Sequence, residues 1–140
     1  GFDYVMWLDD DMDPPPDLVM GLLRLNAPIA SGLYGRRGEP AKTMTYAFSD
    51  KDGARKPYHV TMPNWTDKFV VLDGVGFGCV LMKREVIQRV WDDTAGVPFK
   101  AGPSGNGGED INFFDVASAA GYKVAIDGNL RVGHLGVSAA

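Results

Sequence analysis

The stretch Met6-Trp7-Leu8-Asp9-Asp10-Asp11-Met12-Asp13 places four aspartates within five residues, directly behind an apolar run. Tyr4 to Leu8 has the pattern of a buried strand, and the acids mark where that strand opens onto polar surroundings. Open α/β sheets bind their ligands beyond the C-terminal ends of their strands. Asp9 and Asp11, two positions apart, both face such a crevice if the chain turns after the strand. There they offer hard oxygen ligands to Mg2+ or Mn2+. A cation, and whatever the cation binds, then neutralises the charge. A solvated acidic turn with Asp13 or Asp17 capping the next helix accounts for the same residues, and the stretch alone leaves both readings open.

Working outward, Pro14-Pro15-Pro16 stops the strand, and Asp17 with the spaced Leu18, Leu22, Leu23 and Leu25 predicts a helix of about ten residues. Asn26-Ala27-Pro28 ends it. Strands are predicted over Ile29 to Tyr34 and over Thr43 to Phe48, where Met44, Tyr46 and Phe48 alternate, with a basic turn Gly35-Arg36-Arg37-Gly38 between them. Ser49 to Lys56 reads as a polar loop with Asp52-Gly53 at its tip, so a hairpin returns near Tyr58 to Thr61. Phe69 to Leu72 and Phe77 to Met82 read as buried strands, followed by a helix over Glu85 to Trp91.

Gly96 to Gly108 holds five glycines and two prolines in thirteen residues, a composition that favours a mobile loop. Glu109 to Ala120 is helical by pattern, with acids in its first turn that suit the positive end of the helix dipole. Gly121 closes it. A strand over Tyr122 to Ile126 follows, and Leu130 to Val132 runs into His134. Strands and helices interleave along the whole chain, which predicts one α/β domain over residues 1–140, a mixed sheet with helices on its faces.

Bulk properties narrow the function. Of the 140 residues 45% are hydrophobic and 23% charged, as in ordinary globular domains, and the net charge of −4 comes without a lysine or arginine stripe to attract a phosphate backbone. Nucleic acid is therefore not an expected partner. No apolar segment approaches the roughly 20 residues that span a bilayer, and no signal-like region opens the chain. The single cysteine, Cys79, fits a reducing compartment. The expectation is a cytoplasmic protein without a membrane span.

A second constellation is Gly107-Gly108-Glu109-Asp110-Ile111-Asn112, a Glu-Asp pair opening a helix behind a glycine loop. One such carboxylate can act as general base while the loop folds over substrate, or both can be helix-start acids favoured by the dipole. His134 is flanked by Gly133 and Gly136-side backbone that can approach a ligand closely, and it is a candidate metal ligand. His59, in a strand context, is read as structural. Gly74-Val75-Gly76-Phe77-Gly78 is not a dinucleotide fingerprint, since a strand and not a helix follows it. The glycines are expected to keep backbone close to an acceptor or to permit a bend.

Together these pieces resemble the second half of a glycosyltransferase of the GT-A fold, family-2 type. The resemblance lies in "DYVMWLDDDMDPPPDLV", in "DGVGFGCVLMKREVIQRV" and in "GGEDINFFDVASAAGYKVAIDGNLRVGHLG", in the order that family uses. It implies a GT-A-like mixed sheet flanked by helices, lacking the family's N-terminal nucleotide-binding βαβ portion. It further implies sugar transfer from a nucleotide-sugar donor to a carbohydrate or other hydroxyl acceptor, with Mn2+ or Mg2+ as cofactor. Asp9, Asp11 and His134 are then the metal set, with Asp9, Asp10 and Arg36 (or Arg37) facing the donor. Asp110 is the base, with Glu109 orienting acceptor or base. Trp7 and Trp65 offer rings for sugar stacking, although burial is the commoner use for Trp7. The sheet edge is expected to be covered by a second copy or by a missing N-terminal segment. The competing expectations are a non-catalytic carbohydrate-binding or structural module on the same scaffold, and a divalent-metal phosphotransferase or hydrolase.

Overall fold

The computed structural model describes residues 1–36, 38–51, 53–100 and 108–135. In chain order the elements are β1 (Tyr4–Leu8), β2 (Met12–Asp13), α1 (Leu18–Arg24), β3 (Ile29–Leu33), β4 (Gly35–Arg36), β5 (Glu39–Thr43), β6 (Thr45–Lys51), β7 (Ala54–His59), β8 (Phe69–Leu72), β9 (Gly74–Val75), β10 (Cys79–Lys83), α2 (Arg84–Asp93), α3 (Glu109–Ala119), β11 (Val124–Arg131) and β12 (Gly133–His134). Five strands form a mixed sheet in the order β1-β10-β3-β11-β8, in which only β3 and β11 run parallel. Smaller ladders join β7-β6-β9, β4-β5 and β12-β2. The mixed α/β architecture is the one the interleaved pattern predicts.

The sheet has a core on each face because successive side chains of a strand point to opposite sides. In β10, Val80 and Met82 join Ile29, Val124, Ile126, Val86, Val90, Phe113 and Phe114 on the face covered by α2 and α3. Cys79 and Leu81 join Ala30, Leu18, Leu22, Leu130 and Val132 on the face covered by α1. This two-sided burial explains the unbroken apolar run of β10. Phe113 and Phe114 are fully buried, each contributing about 1.5–3 kcal/mol of transfer free energy. No helix among the described residues is long and apolar enough to cross a membrane.

Several boundaries differ from the sequence reading, each for a local reason. Ser49 to Lys56 is not a loop: β6 and β7 stay paired from Tyr46↔His59 to Lys51↔Ala54, so the hairpin closes at Gly53, whose φ is +73°. Thr43 to Phe48 is broken at Met44, where Thr43 and Thr45 turn their hydroxyls to each other and to the Val60 carbonyl. Phe69 to Leu72 is an edge strand with Phe69 and Val71 more than half exposed, and β1 is the opposite edge. Tyr122 to Ile126 and Leu130 to Val132 merge into one bulged strand, β11. Its Gly128 lies against the Trp65 backbone, where a Cβ would overlap the carbonyl oxygen. Helix α1 stops early, with Asn26 at φ +47°.

The glycine-rich segment expected to be mobile falls partly on residues 101–107, outside the described residues, as do Arg37 and Asp52. Its described part is anchored. Phe99 packs against Trp7, Phe77 and Phe113, and the Asn112 side chain donates to the Lys100 carbonyl at 2.8 Å.

Candidate functional site

The aspartate turn is shaped by backbone bonds. Asp9 N–H donates to the Gly78 carbonyl at 2.9 Å as β1 ends, and Met12 N–H returns to the Asp9 carbonyl at 3.2 Å. The chain thus reverses into β2, which pairs with β12 through Gly133↔Asp13 and His134↔Met12. Leu135 N–H closes the ladder on the Asp11 carbonyl at 2.6 Å. This short ladder carries the end of β11 to the turn and sets His134 against Asp11.

His134 is held from both sides. Nδ1 lies 2.9 Å from the Gly35 carbonyl, and Nε2 lies 3.0 Å from Asp11 Oδ2. A carbonyl only accepts, so Nδ1 carries the hydrogen. In the neutral ring Nε2 therefore directs a lone pair at a carboxylate, a contact that becomes favourable when a proton or a cation is shared between them. The ring is braced edge-on by Tyr34, with centroids 5.7 Å apart. The Tyr34 hydroxyl accepts from Gly78 N–H at 3.0 Å. Burial first, then the charges of Asp110 and Asp9, push the Tyr34 phenol well above its usual range, against the lowering effect of the Gly78 bond.

Gly76 and Gly78 are glycine because the Tyr34 hydroxyl fills their Cβ positions, and Gly74 is glycine because the Phe114 side chain does. The glycine-rich segment is thus spent on packing.

Asp9 belongs to an acidic cleft, which it lines with Trp7, Phe77, Phe99, Glu109 and Asp110. Asp110, in the first turn of α3, accepts from Phe77 N–H at 3.3 Å. Burial raises its pKa, the Phe77 bond opposes that rise, and the negative charges of Glu109 and Asp9 add to it. A half-buried carboxyl with a raised proton affinity, beside two other carboxylates, suits proton transfer.

On the other side of His134 is a basic cleft. Arg36 and Arg131 line it with His134, Tyr34 and Thr43. Arg36 makes a long ion pair of 3.8 Å with Glu39 in an exposed setting. Arg131 reaches the Thr66 hydroxyl at 3.3 Å.

The structure therefore brings Asp11 and His134 together, gathers Asp9 with Glu109 and Asp110, and puts Arg36 beside His134. Asp10 is exposed in the turn. Among the described residues no three His, Cys, Asp or Glu side chains form a group arranged to hold a metal, and Asp9 lines the acidic cleft. Trp65 is a core residue, 5% exposed, and offers no ring to a ligand. Trp7 is half-buried and lines the acidic cleft. Arg131 and Tyr34 were not singled out from the sequence; the Arg131-Val132-Gly133-His134 spacing was the available signal for the arginine.

No family model matches the chain, and no curated protein sequence matches it. Among solved structures, the crystal structure of A197 from STIV is similar, with a TM-score of 0.53 at 18% identity over 89% of this chain and 53% of that one. This chain thus spans about half the length of that relative, and at this identity the likeness shows the fold alone.

Proposed function

We propose that this chain is the metal- and acceptor-binding half of a GT-A-type glycosyltransferase, moving a sugar from a nucleotide-sugar donor to an acceptor hydroxyl. The observation that carries the reading is the His134 ring, fixed by the Gly35 carbonyl so that Nε2 meets Asp11 Oδ2. Metal-binding histidines commonly donate their other ring N–H to a backbone carbonyl in this way. A carboxylate oxygen and an imidazole nitrogen whose other N–H is already tied to a backbone carbonyl are the donors such a cation would take. The pair thus fits Mn2+ or Mg2+, which habitually take one or two carboxylates from the protein and complete their shell with substrate phosphates and water.

Once bound, such a cation supplies positive charge to the diphosphate leaving group. The remaining roles fall to the protein. Arg36 and Arg131 flank His134 and offer guanidinium donors to phosphate oxygens. Asp110 takes the acceptor hydroxyl proton as that oxygen attacks the anomeric carbon and the bond to the diphosphate breaks. Glu109 and Asp9 keep Asp110 basic by repulsion, and Glu109 orients the acceptor. Trp7, Phe77 and Phe99 exclude water from one wall of the cleft. The free edge of β1 is where a base- and ribose-binding segment, or a second copy, would extend the sheet.

Calorimetry with Mn2+ and uridine or guanosine diphosphate tests the reading. Metal-dependent nucleotide binding that Asp11→Ala removes is the expected result. Absence of binding favours a carbohydrate-binding or structural module, and metal binding without nucleotide points to a phosphotransferase or hydrolase.

A further inference from the structure

Tyr34 follows β3 and is buried among the apolar residues on the α1 side of the sheet. A phenylalanine would fill that core position as well, so the hydroxyl needs its own account. It accepts from Gly78 N–H at 3.0 Å, and it reaches that amide because neither Gly76 nor Gly78 has a Cβ, whose place the hydroxyl takes at both. The segment Gly76-Phe77-Gly78 is in turn a joint of the acidic cleft. Phe77 N–H donates to Asp110 Oδ2 at 3.3 Å, and the Gly78 carbonyl accepts from Asp9 N–H at 2.9 Å. The Tyr34 ring, meanwhile, meets His134 edge-on, at 89° and with centroids 5.7 Å apart. One side chain therefore touches the imidazole that faces Asp11 and the backbone that holds Asp9 and Asp110.

We propose that Tyr34 is a positioning residue that sets both halves of the site at once. Its ring limits the rotation of the His134 imidazole, whose Nδ1 hydrogen the Gly35 carbonyl accepts, and so keeps Nε2 on Asp11. An edge-to-face ring pair has a preferred geometry, whereas an aliphatic side chain would leave the imidazole free to tilt. The hydroxyl fixes the backbone between the Asp110 and Asp9 bonds; without it the amide of Gly78, a buried residue, loses its partner. Tyr34 acts through His134 and this segment and not on a substrate. Its role toward a cation rests on the proposed transferase site; its hold on the imidazole and on the glycine segment does not.

Two variants of the full chain separate ring from hydroxyl. Tyr34→Phe keeps the ring, so its Mn2+ affinity by calorimetry should stay within about two-fold of wild type. Nitrogen NMR at about pH 9, where an ordinary imidazole is neutral, should still find the His134 hydrogen on Nδ1. Hydrogen exchange at the Phe77 and Gly78 amides should instead quicken about five-fold or more. Tyr34→Leu loses the ring as well: both His134 tautomers should be populated, and Mn2+ binding should weaken about 10-fold or more. A merely structural role would lower the melting temperature and move neither the tautomer nor these two amides. Unchanged tautomer and Mn2+ affinity in a folded Tyr34→Leu, equal loss in Tyr34→Phe, or unaltered exchange at Phe77 and Gly78 overturns the assignment. Should Tyr34→Leu not fold by circular dichroism, Tyr34→Met, whose flexible side chain fills the core, is read in its place. A wild type that binds no Mn2+ removes the proposed transferase site, and the tautomer and exchange results then decide the positioning role alone.

Discussion

Nε2 of His134 stands 3.0 Å from Oδ2 of Asp11, although 123 positions separate the two residues. The β2–β12 ladder of two residue pairs makes that contact, and the Gly35 carbonyl decides which nitrogen faces the acid. If the pair holds a cation for a diphosphate, His134→Gln weakens Mn2+-dependent nucleoside diphosphate binding by about 10–100-fold. Calorimetry reads this directly, and circular dichroism should be unchanged because the His134 side chain is not part of either apolar core.

Asp110→Asn is expected to abolish transfer and to raise stability at neutral pH. The folded pKa of Asp110 lies above its ordinary value, chiefly through burial. The folded state therefore holds this proton more tightly than the unfolded state, and the associated stability is present below about pH 4 and lost as pH rises through the folded pKa. Asparagine can still accept from Phe77 N–H without ionising. The melting temperature of the variant should exceed the wild-type value at pH 7 to 8, and the two should converge at acid pH.

Asp73 makes the opposite prediction. Burial pushes its pKa up, but the Lys123 ammonium, the Phe48 N–H at 2.8 Å and the Arg55 charge together outweigh that and hold it below the usual carboxylate value. Its contribution is present above the ordinary pKa and lost as pH falls through the depressed one. Asp73→Asn should cost about 1–2 kcal/mol at pH 7 by denaturant unfolding, with the difference shrinking as pH falls through the depressed pKa.

Gly128→Ala should be among the most damaging small substitutions, costing about 3 kcal/mol or more, because the new methyl group meets the Trp65 carbonyl and not a mobile side chain. Gly53→Ala, at a hairpin tip with open space around it, should cost only the strain of its positive φ, about 1 kcal/mol. Thermal melts of the two variants compare them.

Much of the scaffold was legible in the sequence. Tyr4–Leu8 was bounded by the acids that follow it, and the start of α3 by the Glu-Asp pair behind glycines. The polar β6–β7 ladder was not, since Ser49 to Lys56 has no apolar alternation to signal a strand. Nor was β12, because a two-residue bridge leaves no period to read. The His134–Asp11 pairing depends on that bridge, so only the resemblance of the separate motifs suggested it. The burial of Trp65 was equally hidden, since it is fixed by the bulge at Gly128, far along the chain.

A cation shared by an imidazole nitrogen and a carboxylate is the centre of the proposed site. Electron spin-echo spectroscopy of Mn2+ bound in the presence of a nucleoside diphosphate reads that nitrogen directly. Nitrogen modulation is expected in the wild-type protein and should disappear in His134→Gln. Mn2+ bound without nitrogen modulation, or modulation that survives the substitution, would contradict it.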